Sequence, residues 1–525
     1  MVDDVFCWVK SSGIEWTVKR VKSLKNSLII QMATQSYVPA PWVRKNSKGK
    51  YYGWIGSLFQ WCSESGNMRK SRKRFSRVIQ ALNIYTLFIA QDVTVSQLKK
   101  FMDGVNCTDD VELDIKDFMI PYLDHVKSTI GSREIIRGGN SIIEYRGSPS
   151  KVAPLPHNLG SVPQDRELFA ERRWFDAPCN AAIGYEYYEL YAPVFAAVDG
   201  PLQRIPQASK IDDVPYGGEV HFLQEPGLKL RSIASPYRIH QLALKPLGNA
   251  IYDIVRNLSW DCTFNQSKSL TRIQESLSKK EMVYSVDLTG ATDYFPLGLQ
   301  LATLHQIFGE VKDIGLLEEL CTMRFKSQIG DVQWKRGQPL GLYPSFGMFT
   351  LTHGLILSFL AKGHNELFYV LGDDVIILDT TLYYDYIEFL NKCHCPWSKE
   401  KSISSNLIAE FAGKLITPST IIPQYKWRKM SNDNFLDICA NLGAKSRVLL
   451  TQRQKKVYDA VKHLMPPLGL NISSPGSNLV KMMIETERLL SRINKAGVRS
   501  LVDLIEIIHR NSYKSSIPHQ LNSEE

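Results

Sequence analysis

No apolar stretch of this sequence approaches the roughly 18–20 residues needed to cross a bilayer, so no membrane span is expected. The N-terminus, MVDDVFCWVK, places Asp3 and Asp4 where a secretory signal needs basic residues and an organelle transit segment avoids acids. Nothing there directs the chain to secretion. The cysteines are nine in number, odd and scattered, which suits a reducing compartment and does not suggest a disulfide framework. Their one tight cluster, Cys393-His394-Cys395, lacks the spacing and the second ligand pair of a zinc site and reads as structural. Long low-complexity tracts and internal repeats are missing too, leaving the composition of an ordinary folded protein, 44% apolar and 22% charged over 525 residues. A chain of that length holds several subdomains and a sizeable core.

A formal charge of +10 permits a nucleic-acid partner without proving one. The densest basic run, RKSRKRFSR (69–77), is either a solvated face or a phosphate contact. The stretch that follows it, RVIQALNIYTLFIA (77–90), has helical apolar spacing. Residues 131–165 are rich in Gly, Ser, Pro and Asn and read as loops at a boundary. The aromatic segment 184–195 reads as core. From about 220 to 430, short apolar runs alternate with helical patterns and polar turns. Helical periodicity returns in 479–493 and 501–510.

The chemistry is concentrated in the 220–430 region. FYVLGDDVIILD (368–379) carries two apolar runs around Gly372-Asp373-Asp374, the pattern of a buried β-hairpin with acids at its tip. MVYSVDLTGATD (282–293) is a strand ending in Asp287, with Asp293 in the turn after it. Pro296 then opens a helix with Leu297, Leu301, Leu304 and Phe308 on one side. If the two strands are neighbours, Asp287 and Asp373 face one another and repel. A divalent cation resolves that, and ligation by carboxylates alone suits Mg²⁺ or Mn²⁺. Two such ions support in-line phosphoryl displacement.

Two further segments fit the same chemistry. GQPLGLYPSFGMFTLTH (337–353) reads as a structured loop running into an apolar helix. It is expected to expose Gln338 and Ser345, with Thr350 and His353 on the first helical turns. In EPGLKLRSIASPYR (225–238), Lys229 and Arg231 alternate with Leu228 and Leu230 and project from one side of a strand. They suit a triphosphate, or else form a solvated basic face.

In this order, EPGLKLR, WDCTFNQSKS (260–269), SVDLTGATDYFPL, GQPLGLYPSF…LTHG, VLGDDVIIL, SKEKSISSNLIAEFAGK (398–414) and PQYKWR (423–428), the chain resembles the RNA-dependent RNA polymerases of capsidless positive-strand RNA viruses. These are the narnavirus and mitovirus group, and Tyr294, where mitovirus enzymes often carry a basic residue, leans the resemblance toward the narna-like side. The resemblance covers about residues 155–450. It implies an α+β right hand with an antiparallel palm sheet backed by helices, and a mainly helical N-terminal region. The expected divisions are a helical extension (1–155), fingers with the basic NTP-facing strand (156–280), a palm with a fingers insertion near 309–336 (281–430), and a helical thumb and tail (431–525).

By position, the resemblance makes Asp287 and Asp373 metal ligands, with Asp374 as a supporting ligand, for two Mg²⁺ (or Mn²⁺) ions. It makes Asp293 and Ser345, with Thr350 nearby, the readers of the NTP ribose 2′-OH, and His353 a candidate for the same task. Lys229 and Arg231 become the triphosphate cations. Lys401 becomes the donor of a proton to pyrophosphate, with Lys399 as a competitor. The implied partners are a single-stranded RNA template, an RNA product and NTPs, with no DNA, in the host cytoplasm or mitochondrion as a ribonucleoprotein. Two alternatives stand beside this: a reverse-transcriptase-like polymerase, and a non-catalytic RNA-binding protein derived from a viral polymerase.

Overall fold

The computed structural model describes residues 2–34, 43–48, 53–63, 68–137, 181–194 and 216–424, and further on 426–427, 431–432, 435–442, 444–464, 470 and 488. The chain divides into two compact units, residues 1–424 and 425–525. The loops expected from 138 onward and the helices expected at 479–493 and 501–510 lie outside the described residues.

The first unit is α+β, as expected. Its centre is a four-stranded antiparallel sheet ordered β5-β6-β3-β7, from Phe368–Leu371 (β5), Asp374–Ile377 (β6), Val283–Asp287 (β3) and Ile403–Ser405 (β7). Side chains alternate between the two faces of a strand, and both faces of this sheet are covered. Tyr284, Val286, Phe368, Val370, Val375 and Ile377 belong to the large core that includes the helices Leu297–Phe308, Ser345–Leu360 and Thr380–Lys392. Val283 and Ile376, with Tyr369 and Leu371 beside them, join Ile273, Leu277, Ala409, Phe411 and Ile416 on the other side. Burial on both faces explains why FYVL and VIIL are apolar throughout.

A second sheet, ordered β2-β1-β4, pairs the hairpin Tyr216–Glu225 (β1) and Lys229–Pro236 (β2) with Arg324–Lys326 (β4), so part of the 309–336 segment joins the basic hairpin. A third sheet holds Ala409–Phe411 (β8), Lys414–Thr417 (β9) and Thr420–Pro423 (β10). The N-terminal region is helical, with Val2–Thr34 broken at Gly13 (φ 83°), Gly53–Ser63, Met68–Leu82 and Val95–Val105.

Two local expectations change. Helical spacing continues to residue 90, yet the α-helix stops at Leu82 and a 3₁₀ turn, Asn83–Leu87, hands over to extended backbone at Phe88. Leu228 is not part of strand β2. It lies in the hairpin turn at φ 57°, so the strand begins at Lys229. The aromatic segment does supply core: Tyr187 and Tyr191 are buried, while Tyr185 and Tyr188 face outward. The basic run lies on Met68–Leu82, where Phe75 is buried and Arg74 donates to the Trp61 carbonyl (3.2 Å); the side chains of Arg69–Lys73 are outside the described set.

In the second unit, Phe435–Leu442 and Gln452–Val461 are helices that share a small core of Phe435, Leu436, Cys439, Val457, Tyr458 and Val461. The second helix starts with a capping box, in which Thr451 and Gln454 exchange side-chain-to-backbone bonds. Among the described residues, no helix is long and apolar enough to cross a membrane.

Candidate active site

Strands β5 and β6 are joined by the two-residue turn Gly372-Asp373. Gly372 has φ 61°, the left-handed backbone that such a turn asks of its first residue. A Cβ there would also lie 2.7 Å from the Phe346 ring. Register then corrects one expectation. The residue directly opposite Asp287 is Asp374, not Asp373. Because the turn consumes Gly372 and Asp373, Asp374 is the first residue of β6. Period-two alternation puts Asp287 and Asp374 on the face opposite the Ser345–Leu360 helix. Asp373, at the tip, still feels the Asp287 charge.

The three carboxylates load one end of the sheet with negative charge. Asp374 is pushed up to about 7 by burial first, then by Asp373, Asp287 and Glu410. Asp373 is raised by burial and by Asp287, against the pull of Lys229 and Arg231. Those two cations therefore act on the carboxylate tip from the neighbouring hairpin. Arg231 is also held by Glu225 (Nε–Oε1 2.7 Å). Lys401 donates to Asp287 Oδ2 at 2.8 Å, whereas Lys399 lies over the Trp397 ring (5.8 Å). Only Lys401 of the two candidates is thus seen on a carboxylate.

The donor set fits a hard divalent cation, since it is made of carboxylate oxygens whose mutual repulsion a cation would relieve, and the Lys401 ammonium already sits against one of them. Among the described residues, no three His, Cys, Asp or Glu side chains already stand in an arrangement that would hold a metal ion. Cys393 and Cys395 are buried thiols, raised by burial.

Asp293 lies in the short helix Ala291–Tyr294, half-buried, with Oδ1 accepting from Trp334 Nε1 (2.9 Å). Burial pushes its carboxyl up to about 6, and the Trp334 bond pulls it back in part. The loop before helix Ser345–Leu360 departs from expectation. Gln338 and Ser345 are buried, not exposed. Gln338 donates to Gln300 (2.7 Å) and Ser345 Oγ donates to the Pro339 carbonyl (3.1 Å). Thr350 donates back to the Phe346 carbonyl (2.8 Å). These hydroxyls hold the loop and the helix start in this conformation. The loop also packs tightly on β2: Ala234 N–H donates to Leu340 (2.8 Å), and a Cβ at Gly341 would lie 1.8 Å from the Ala234 carbonyl oxygen.

His353 does not face a nucleotide. It is fully buried, with Nδ1 2.9 Å from the Gly372 carbonyl and Nε2 2.6 Å from the Tyr386 hydroxyl. A carbonyl only accepts, so Nδ1–H donates to Gly372 and Tyr386 O–H donates to Nε2. Burial lowers the imidazole to about 4, which keeps it neutral and in that tautomer. His353 thereby holds the turn that carries Asp373.

The WDCTFNQSKS block sits on the outer side of the same hairpin. Val370 N–H donates to Trp260 (3.0 Å) and Cys262 N–H to Val370 (2.9 Å). A Cβ at Gly354 would lie 2.0 Å from the Trp260 ring, so that helix glycine makes room for the indole.

Beside the site, a cavity of about 530 Å³ is lined by Arg231, Arg238, Lys245, Tyr252, Tyr343 and Phe346 among others, a mixture of cations and aromatic faces suited to phosphates and bases. Sequence reading missed Glu410, whose charge reaches Asp374, and Lys22 and Lys25 of the N-terminal helix. Glu410 stands inside a quoted block and could have been picked out as its acid. For the two lysines no sequence signal exists.

Residues 197–474 match the family described as mitovirus RNA-dependent RNA polymerase. An RNA-directed RNA polymerase of Cryphonectria parasitica mitovirus 1 is 30% identical over 208 residues, 38% of this chain and 26% of that protein. The match thus spans about a quarter of that relative's length. An uncharacterized mitochondrial protein of Arabidopsis thaliana is 26% identical over 250 residues, 45% of this chain and 93% of that protein. Among solved structures, an insertion-loop deletion mutant of the RNA-dependent RNA polymerase of a human picobirnavirus overlaps with TM-score 0.44 and 13% identity, covering 74% of this chain and 76% of that one.

Proposed function

From the premise that the chain belongs to the mitovirus RNA-dependent RNA polymerase family, we propose that it carries out template-directed RNA synthesis for a positive-strand RNA virus. The observation that carries this reading is the meeting of two charge sets. Asp287 stands opposite Asp374 with Asp373 in the adjoining turn, and the Lys229 and Arg231 charges act on Asp373. A nucleotidyl transfer needs both, one to hold the reacting centre and one to hold the leaving pyrophosphate.

In this reading Asp287 and Asp373, supported by Asp374, would hold two Mg²⁺ or Mn²⁺ ions. Bound there, such ions would lower the pKa of the attacking hydroxyl and neutralise charge on the phosphates. The RNA 3′-OH attacks the α-phosphorus of an NTP, and pyrophosphate leaves. Lys229 and Arg231 bind the β- and γ-phosphates, Arg231 as a fixed fork and Lys229 as a mobile charge. Lys401 donates a proton to the departing pyrophosphate. Its bond to Asp287 supports a place next to the reacting atoms. Asp293 accepts the ribose 2′-OH through the oxygen that Trp334 does not use. Ser345 and Thr350 shape the loop beside it.

The template is single-stranded RNA, bound through its backbone and by base stacking. The mitochondrion is the favoured compartment within the host, on the strength of the Arabidopsis relatives, which are described as mitochondrial. The test is elongation by the purified full chain on a primed RNA template with Mg²⁺, comparing NTPs with dNTPs. NTP-dependent synthesis that Asp373→Ala abolishes supports the reading. Efficient dNTP use would instead favour the reverse-transcriptase-like alternative. RNA binding without synthesis would favour the non-catalytic one.

A further inference from the structure

The turn that carries the basic strand is gripped by the N-terminal region. Gly227, at φ 79°, donates its N–H to the Phe88 carbonyl (2.8 Å), and a Cβ on it would lie 2.7 Å from the Tyr85 ring. The Leu228 carbonyl accepts from Gln97 Nε2 (3.0 Å), and Gln224 donates to the Asp92 carbonyl (3.0 Å). The Gly227 carbonyl accepts from Lys22 Nζ at 2.5 Å. The carbonyl that Lys22 binds is two residues along the chain from Lys229, while Lys22 itself is on a helix far away in sequence.

Its surroundings are chemically odd. Among the described residues no carboxylate pairs with Lys22, whose ammonium lies over the Tyr85 ring at 5.2 Å. The charges that act on it are those of Lys401 first, then Lys229, Lys25 and Lys100. Lys25 is partly balanced by Glu410, and Lys401 by Asp287. Burial and these neighbours pull the Lys22 ammonium down to about 8. Cations gathered at one spot are costly until an anion of several charges arrives. RNA backbone phosphates bring one charge per nucleotide spread along a track. A triphosphate brings several to one place.

We propose that Lys22 is a further phosphate-binding residue, which together with Lys229 and Lys401 holds the triphosphate of the incoming nucleotide. The proposal rests on the polymerase reading and extends it to the N-terminal helix, which becomes part of the substrate site as well as its support.

The experiment uses the full chain with Lys22→Ala and Lys22→Arg, read three ways. In primed elongation, Lys22→Ala raises the KM for NTP about tenfold or more, the worth of a charge-assisted contact, with kcat and the Kd for RNA unchanged. Lys22→Arg restores KM to within about threefold, since it keeps the charge. In direct binding of inorganic tripolyphosphate, Lys22→Ala weakens affinity by a similar factor. Raising the pH from 7 to 9 raises the wild-type KM as Lys22 loses its proton, and Lys22→Arg flattens that rise.

A fall in kcat or melting temperature with KM unchanged would overturn the proposal and leave Lys22 as a strut for the hairpin. Weaker RNA binding with unchanged KM would overturn it in favour of the RNA backbone. If the wild type makes no RNA, the polymerase reading fails, and the tripolyphosphate arm still decides the Lys22 site by itself.

Discussion

The carboxylate floor and the cation wall of this site are built in different ways. The floor comes from two short segments, 283–287 and 368–377, in which each acid ends or begins a strand and its position follows from the strand and the turn. The proposed wall would be assembled from remote pieces: Lys229 and Arg231 on a hairpin, Lys401 in the turn before β7, and Lys22 on the N-terminal helix. In the proposed reading the carboxylates share ions and must be placed to the tolerance of metal geometry, which a sheet buried on both faces would supply. In the same reading the cations would neutralise a flexible triphosphate, a task that tolerates looser placement and that long side chains from several elements could meet.

That comparison can be broken at its rigid half first. Asp373→Ala should cut elongation by about a thousandfold or more while leaving the Kd for RNA nearly unchanged, as loss of a group that acts on the transition state would. A variant with near-normal synthesis would remove the floor from the mechanism. The wall should give a smaller effect of another kind. Lys229→Ala should raise the KM for NTP by about ten- to a hundredfold with kcat reduced less, because each lost contact to a charged group is worth about 1.5–3 kcal/mol. An effect on kcat alone would place Lys229 on the floor side of the comparison.

The floor's rigidity has its own test. His353→Leu leaves the Gly372 carbonyl and the Tyr386 hydroxyl buried without partners, at about 1–3 kcal/mol each. Denaturant unfolding should show the loss, and kcat should fall while KM for NTP stays, since the turn carrying Asp373 loosens.

The smallest effect is a dependence on pH. The Asp293 carboxyl is raised to about 6, so it is an ionised acceptor at pH 7.5 and mostly protonated at pH 5.5. Discrimination of NTP over dNTP should therefore fall a few-fold as pH drops through 6, measured as the ratio of kcat/KM values. Asp293→Asn should discriminate poorly and show no such slope. A slope that persists in Asp293→Asn would assign the 2′-OH to another group.

Much of this site was readable along the chain, for a physical reason. Strand alternation, a glycine at a tight turn and a proline at a helix start are local properties. They placed Asp287 at the end of β3, Asp373 at the tip of a hairpin, and Leu297, Leu301, Leu304 and Phe308 on one buried helix. Hydroxyls are less legible. Ser345 looks exposed in a Gly- and Pro-rich loop, but the loop folds onto β2 and spends that hydroxyl on the Pro339 carbonyl. Helical spacing past Leu82 was equally misleading, since the apolar residues that continue it serve a 3₁₀ turn on which Lys22 and Gly227 pack.

The sequence by itself thus determined which residues could carry the chemistry and on which kind of element each stands. Only the tertiary structure decided that Asp374 rather than Asp373 lies across from Asp287, that His353 holds the turn from below, that Lys401 rather than Lys399 reaches a carboxylate, and that Lys22 grips the turn leading into Lys229. Periodicity and turn chemistry act over a few residues. Strand register and the meeting of side chains two hundred residues apart depend on how whole elements pack, and no local pattern encodes that.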